Sequence, residues 1–357
     1  MNWNCYSWAD KLPDENLEVY EPHLKLFFEK MYERQMIWKK RFLDKVPAPW
    51  TDDPILRNSK FTNVYRELDR SSQFLISTII LDDGLDDLNL IWKMMVYRLF
   101  NNPETFTFHP KNIKRDLFNQ NTEFIPSYRW KNGIPDYDEY DELEFEKFIN
   151  GVRASGQNPF TNAYLINSAC APHEKRDYVY TRIALPALHD KIPEIYDVIT
   201  NCSTAEELIE ELNTIPTVAS FISHELYQDL TYIPRYTKRT FMRFDQNDYT
   251  NVGPGASIGI RLIYPSLNTI KEQKQAIYWL RDLAKKELKE IADRRGENFP
   301  YLYWNKVYGE YYTTGVCNIT LHQIEMWLCE FQKYWKMQIG EGKQRSKFVP
   351  KTKVLSL

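Results

Sequence analysis

The chain has 357 residues, 43% of them hydrophobic and 15% aromatic, which is far more burial potential than a disordered chain carries. Its length allows one large domain or two smaller ones, and twelve glycines are few for a turn-dense all-β fold. A net charge of −3 excludes a uniformly basic nucleic-acid binder, so any phosphate contact must be local.

The opening stretch MNWNCYSWADKLPDENLE has no basic segment followed by an apolar core. No apolar run approaches the ~20 residues of a membrane span, so an intracellular, cytoplasmic chain without a membrane partner is expected. A first helix is predicted over 22–44, stopped by Pro47-Ala48-Pro49. A second is predicted over 60–81, where Phe61, Val64, Tyr65, Leu68, Leu75, Ile76 and Ile79 form an apolar stripe. On its other face Asn63, Arg66, Asp69, Arg70 and Gln73 gather. Paired guanidiniums there would offer bidentate recognition of a phosphorylated substrate, against a plain Arg66–Asp69 pair at i, i+3.

Further helices are predicted over 86–100, 138–151, 158–170, 174–199, 204–212, 217–231, 254–263, 270–293 and 318–337, with no clean strand and no repeat. The polar, aromatic-rich stretch from Asn101 to Tyr137 reads as a long loop or small lobe that covers substrate. The fold class is therefore all-α. Residues 1–46 read as an N-terminal helical extension, 47–340 as the main helical domain and 341–357 as a basic tail. That tail belongs to a segment in which Lys333, Lys336, Lys343, Arg345, Lys347, Lys351 and Lys353 face Glu341 alone, a local patch suited to phosphates or merely to solvent. Cys5, Cys170, Cys202, Cys317 and Cys329 are odd in number and form no Cys-x-x-Cys pair, so neither a disulfide framework nor a zinc knuckle is expected.

Three segments carry chemistry. In the helix over 217–231, Glu225 and Asp229 stand at i, i+4, where two carboxylates repel unless a cation, a metal or a shared proton lies between them. In the helix over 318–337, His322, Glu325, Cys329 and Lys333 form a stripe opposite Leu321, Ile324, Trp327, Leu328, Phe331 and Trp335, facing either a cleft or solvent. The cluster Gly253-Pro254-Gly255-Ala256-Ser257-Ile258-Gly259 has the wrong spacing for a dinucleotide fingerprint, and no strand leads into Ser257 as a nucleophile elbow requires. It fits the turn of a helix-hairpin-helix, whose exposed backbone N–H groups hold a DNA phosphate, or an ordinary helix–helix turn. The basic neighbours Arg235, Lys238, Arg239 and Arg243 favour phosphate.

Six phrases occur in one order: Ala48-Pro49-Trp50-Thr51-Asp52-Asp53-Pro54-Ile55-Leu56, Phe61 to Arg70, Asn158-Pro159-Phe160-Thr161-Asn162-Ala163-Tyr164, the Glu225/Asp229-Leu230 helix, Asn251 to Ala256, and Leu328-Cys329-Glu330-Phe331-Gln332-Lys333-Tyr334. Together, over about 47–347, they resemble the alpha-glutamyl/putrescinyl-thymine pyrophosphorylase group, also described as the helical domain found with 5-hydroxymethyl-deoxyuridine DNA kinases. The resemblance implies a fold akin to helix-hairpin-helix DNA glycosylases, phage-encoded. It implies that an amino acid or polyamine displaces pyrophosphate from a 5-(pyrophosphoryloxymethyl)uracil in DNA, after a separate kinase has acted. The absence of G-x-x-x-x-G-K-[ST] agrees with a chain that is not itself the P-loop kinase.

On that reading Asp229, Glu225, Arg66, Arg70, Lys333 and Glu330 are the catalytic candidates. Arg66, Arg70 and Lys333 would meet the leaving pyrophosphate, and a carboxylate would take the amine proton or hold Mg²⁺. Asn63, Asp69, Asn162 and Gln73 are candidates for substrate binding, and Gly253, Gly255, Ala256, Arg239 and Lys343 for DNA. A base in a duplex must be flipped out to be reached, and the many aromatics supply stacking walls. A glycosylase and a non-catalytic DNA-binding module are the rival classes, distinguished by an abasic product or none.

Overall fold

The computed structural model describes residues 17–108, 127–161 and 171–342. The chain divides into two units: residues 1–66 with 250–357, and residues 67–249. The division therefore falls at neither residue 46 nor residue 340. The first helix belongs to the body of the first unit and is not an extension.

In the first unit, α1 (Glu21–Trp38, prolonged by a wide turn Lys39–Leu43), α2 (Pro54–Asn58), α11 (Pro254–Ile263), α12 (Ile270–Arg295) and α13 (Leu321–Gln338) pack together. Helix α13 is its axis. It starts in a capping box, Thr320 with Gln323, and buries Leu321, Ile324, Trp327, Leu328 and Phe331. Each such side chain contributes ~1.5–3 kcal/mol by leaving water. Helix α11 covers a second face of α13, and its glycines set the approach. A Cβ at Gly259 would lie 2.4 Å from the Leu328 carbonyl oxygen, and one at Gly255 2.9 Å from Cys329 Sγ. The loop before α2 is tied to the same axis. Asp53 accepts from the Ile55 and Leu56 amides, the Lys30 ammonium (2.7 Å) and the Tyr334 hydroxyl (2.7 Å).

A two-stranded hairpin, β1 (Tyr301–Asn305) and β2 (Glu310–Thr314), interrupts the helices, with Tyr303 opposite Tyr312 and Trp304 opposite Tyr311. The sequence pattern does not announce it because both strands are aromatic on both faces, so no apolar–polar alternation marks them.

The second unit is built from α3 (Arg70–Phe74, continued by a wide turn Leu75–Ile80), α4 (Asp87–Phe100), α5 (Pro103–Phe106), α6 (Glu142–Ala154), α7 (Arg176–Tyr178, continued through Val179–Ala184), α8 (Leu185–Asn201), α9 (Ala205–Leu212) and α10 (Ser220–Tyr236). Helices α4 and α10 pack on each other and on the Leu75–Ile80 turn, while α8 packs on α4 and α9. Both α4 and α10 are buried almost all round: Leu90 to Phe100 and Ile222 to Ile233 are unbroken buried runs. Such helices must neutralise their polar side chains internally. Lys93 does so by donating to the Lys131 and Ile134 carbonyls (2.9 and 2.7 Å) and pairing with Asp136 at 2.6 Å.

The helix expected over 60–81 is shorter. Regular helix begins only at Arg70, because Asp69 is extended (φ −74°, ψ 146°). Residues 60–63 run as a loop held by side chains: Lys333 donates to the Lys60 carbonyl, Glu330 accepts from the Thr62 amide, and Arg34 donates to the Phe61 carbonyl. Asn63, Arg66 and Arg70 therefore do not share one helical face.

Candidate functional site

The strongest polar centre in the second unit joins α4 to α10. Arg98, on the last turn of α4, donates through Nε and an Nη to both carboxylate oxygens of Asp229. Its other Nη donates to Asn101 Oδ1 at 3.0 Å. Asn101 is the left-handed residue (φ 49°) that ends α4, so the helix cap also holds the guanidinium. Arg98 and Asp229 are 1% and 3% exposed as side chains. Burial works against the Arg98 charge, but Asp229 and, further off, Glu225 raise its proton affinity above the usual guanidinium value. Asp229, one of the two carboxylates expected to need a cation, has one, and it is an arginine.

Glu225 and Asp229 are thus not a solvated acidic face. Both are buried, one turn apart on α10, and His224 and Gln228 bond to each other at 3.1 Å beside them. With both oxygens turned to Arg98, Asp229 holds the guanidinium in place. Arg98, His224 and Gln228 were not among the expected site residues. Their one signal is that a charged or amide residue inside a helix apolar on every side must have an interior partner.

Other candidates in this unit have structural partners. Arg70 pairs with Glu104 at the surface, with side chains 56% and 47% exposed. Gln73 donates to the Glu67 carbonyl, and Asp69 precedes α3. In the basic segment Lys238 and Arg243 are exposed, while three of its four cations have partners within the unit. Arg239 bonds to Asp87 and the Leu85 carbonyl at the start of α4, Arg235 pairs with Glu67 at 3.0 Å, and Arg243 donates to the Cys202 carbonyl. Arg239, expected to contact DNA, thus has its guanidinium engaged within the second unit.

In the first unit the candidates lie along α13. Lys333 pairs with Glu330 and stands over the Phe61 ring at 4.4 Å. Arg66 reaches Met326 Sδ at 3.7 Å, and Asn63 accepts from Arg34 at 2.8 Å. The His322 and Glu325 stripe is interior, not solvated: His322 is 1% exposed, and Glu325 lies 4.0 Å from Cys329 Sγ and beside Gly253. A carboxylate therefore already stands near the start of α11, where a phosphate was expected. Gly255 and Gly259 are required by the α11–α13 crossing, and Ala256 is fully buried. Asn162 and Lys343 lie outside the described residues.

Residues 21–344 match the family described as 5-hmdU DNA kinase, helical domain. The chain belongs to that family. A relative named 5-hmdU DNA kinase, from Bacillus phage SP10, is 27% identical over 348 residues, covering 92% of this chain and 48% of the relative. The chain thus spans about half the length of the curated relative it matches. No solved structure matches. The match fits the helical character of both units, and no described helix is long and apolar enough to cross a membrane. Within this helical-domain family member the Arg98–Asp229 centre joins two of the most buried helices, the kind of rigid base on which a reactive group is held.

Proposed function

We propose that this chain modifies thymine-derived bases in phage DNA, replacing the pyrophosphate of a 5-(pyrophosphoryloxymethyl)uracil with an amine. The observation that carries the reading is the family match across residues 21–344 in a chain that has no G-x-x-x-x-G-K-[ST] loop. The six ordered phrases that resemble the pyrophosphorylase group support the step that follows phosphorylation.

In that step the amine nitrogen forms a bond to the 5-methylene carbon, the carbon–oxygen bond breaks, and pyrophosphate leaves with the electron pair. The nitrogen must then lose a proton. Glu225 suits the proton, since Asp229 is held by Arg98. The departing charge needs cations: Arg70, half exposed, is the candidate in the second unit, and Arg66 and Lys333 those in the first. Mg²⁺ would enter with the pyrophosphate, and the amine is an amino acid or polyamine. A separate kinase activity supplies the pyrophosphorylated base.

The test is mass spectrometry of nucleosides from DNA carrying pyrophosphorylated hydroxymethyluracil, after incubation with the protein and mixed amines. A nucleoside heavier by the amine, with free pyrophosphate, supports the reading. An abasic site would replace it with the glycosylase reading, and unchanged DNA would leave a binding module.

A further inference from the structure

The second unit holds a cavity of about 290 Å³ that the Arg98–Asp229 centre does not use. It is framed by Phe74 on α3, Phe106 on α5, and Tyr128 and Trp130 from the segment expected to cover substrate. Its floor is rigid. Asn132 and Gly133 both take left-handed backbone (φ 63° and 74°), and a Cβ at Gly133 would lie 2.0 Å from the Phe106 carbonyl oxygen. Phe74 stacks on Tyr97 (5.0 Å between centroids, 27° between planes) and Trp130 on Phe145 (6.0 Å, 23°), so these walls are held from behind.

Asn132 and Thr78 are polar residues of its lining. Asn132 gives its amide hydrogen to Asp82 at 3.0 Å, but among the described residues its Oδ1 accepts no hydrogen bond and the Thr78 hydroxyl makes none. The Asn132 amide oxygen and the Thr78 hydroxyl can supply one acceptor and one donor, the complement of an imide edge, in which a ring N–H stands beside a carbonyl oxygen. Stacking on aromatic rings and readout of such an edge are how an unstacked base is recognised. The volume lies near the lower limit of ~300 Å³ for small-ligand sites.

We infer that this cavity binds a uracil-type base swung out of DNA, stacked between Tyr128 and Phe74, its imide edge read by Asn132 and Thr78. The inference rests on the proposed action on DNA thymine, but its test does not need turnover. Tyr128, 62% exposed, is the wall nearest solvent.

The test uses the full chain and free 5-hydroxymethyl-2′-deoxyuridine, with saturation-transfer NMR read at the base H6 proton. Wild type should transfer saturation to H6 more than to the sugar protons. Thr78→Trp, which fills the cavity, and Tyr128→Ala, which removes a wall, should each reduce the H6 signal at least fivefold, with unchanged circular dichroism. 2′-Deoxycytidine, whose edge lacks the imide N–H, should give no more than a fifth of the wild-type signal. Absence of H6 transfer to wild type, or its persistence in a folded Thr78→Trp chain, overturns the assignment. Intact nucleoside binding with no amine product would instead overturn the proposed reaction and leave the base site standing.

Discussion

Replacing Asp229 by asparagine tests the centre of the second unit most directly. The substitution keeps the shape but removes the negative charge, and one carboxylate oxygen becomes an amide facing the Arg98 donors. The guanidinium is 1% exposed and cannot turn to water. Removing one partner of a buried pair costs ~3–5 kcal/mol. Glu225 remains one turn away as a weaker counter-charge, which places the expected loss near the lower end, about 3 kcal/mol. With a urea m-value of ~1–3 kcal/mol/M, the unfolding midpoint should fall by about 1 M or more. Hydrogen exchange at the α10 amides assigns the loss to the second unit, since local opening there should become easier by a similar free energy.

The double replacement Arg98→Met with Asp229→Leu separates scaffold from chemistry. Removing both charges together should restore most of the lost stability, because apolar residues of similar volume commonly match or exceed a buried ion pair. If that double variant is stable and still makes product, the pair is scaffold only. If it is stable and inactive, the guanidinium or the carboxylate takes part in the reaction. A loss below about 1 kcal/mol in Asp229→Asn would refute the premise that the pair is desolvated and tight.

Gly259→Ala should destabilise the first unit by ~1–3 kcal/mol, because its Cβ would meet the Leu328 carbonyl oxygen, which is backbone and cannot step aside; thermal melting checks this. Gly255→Ala should cost less, since it meets the Cys329 side chain, and the reverse order would refute the crossing geometry. Burial tends to raise the Asp53 pKa, but Lys30, the Leu56 amide and the Tyr334 hydroxyl outweigh it and hold the carboxyl below its usual value. A depressed carboxyl contributes stability that is present above its unfolded value and lost as pH falls through the folded one, so acid denaturation of the first unit should steepen below about pH 4. Asp53→Asn should flatten that limb in urea midpoints measured against pH. Deleting residues 343–357 removes Lys343, Arg345, Lys347, Lys351 and Lys353, and should flatten the salt dependence of DNA binding by ~0.9 for each phosphate no longer neutralised; an unchanged slope would make the tail a bystander.

Periodicity located most helices, and α11 (Pro254–Ile263) to the residue, because these segments bury one apolar stripe and are punctuated by proline, threonine caps or glycine. It failed at residues 60–69 for a reason of the opposite kind. The apolar spacing there is real, and Val64 and Tyr65 are fully buried, but the backbone of the loop is held by Lys333, Glu330 and Arg34 from distant parts of the chain. Long-range side-chain bonds to a backbone leave no local trace.

The same distinction governs the site. Glu225 and Asp229 were legible because two acids one turn apart are a local anomaly, whereas Arg98 was not, since one arginine in YRLF acquires meaning only when α10 lies against it. The glycine cluster admits a second physical reason. Gly253, Gly255 and Gly259 were read for what open backbone offers a phosphate, yet glycine is needed equally where another helix must come close, and the Leu328 carbonyl occupies the space a side chain would take at Gly259. Arg235, Arg239 and Arg243 then follow: each faces a carboxylate or carbonyl contributed by an earlier part of the chain. A basic segment is a phosphate site only if its cations lack interior acceptors, so net local charge read along the chain overstates what the folded surface presents.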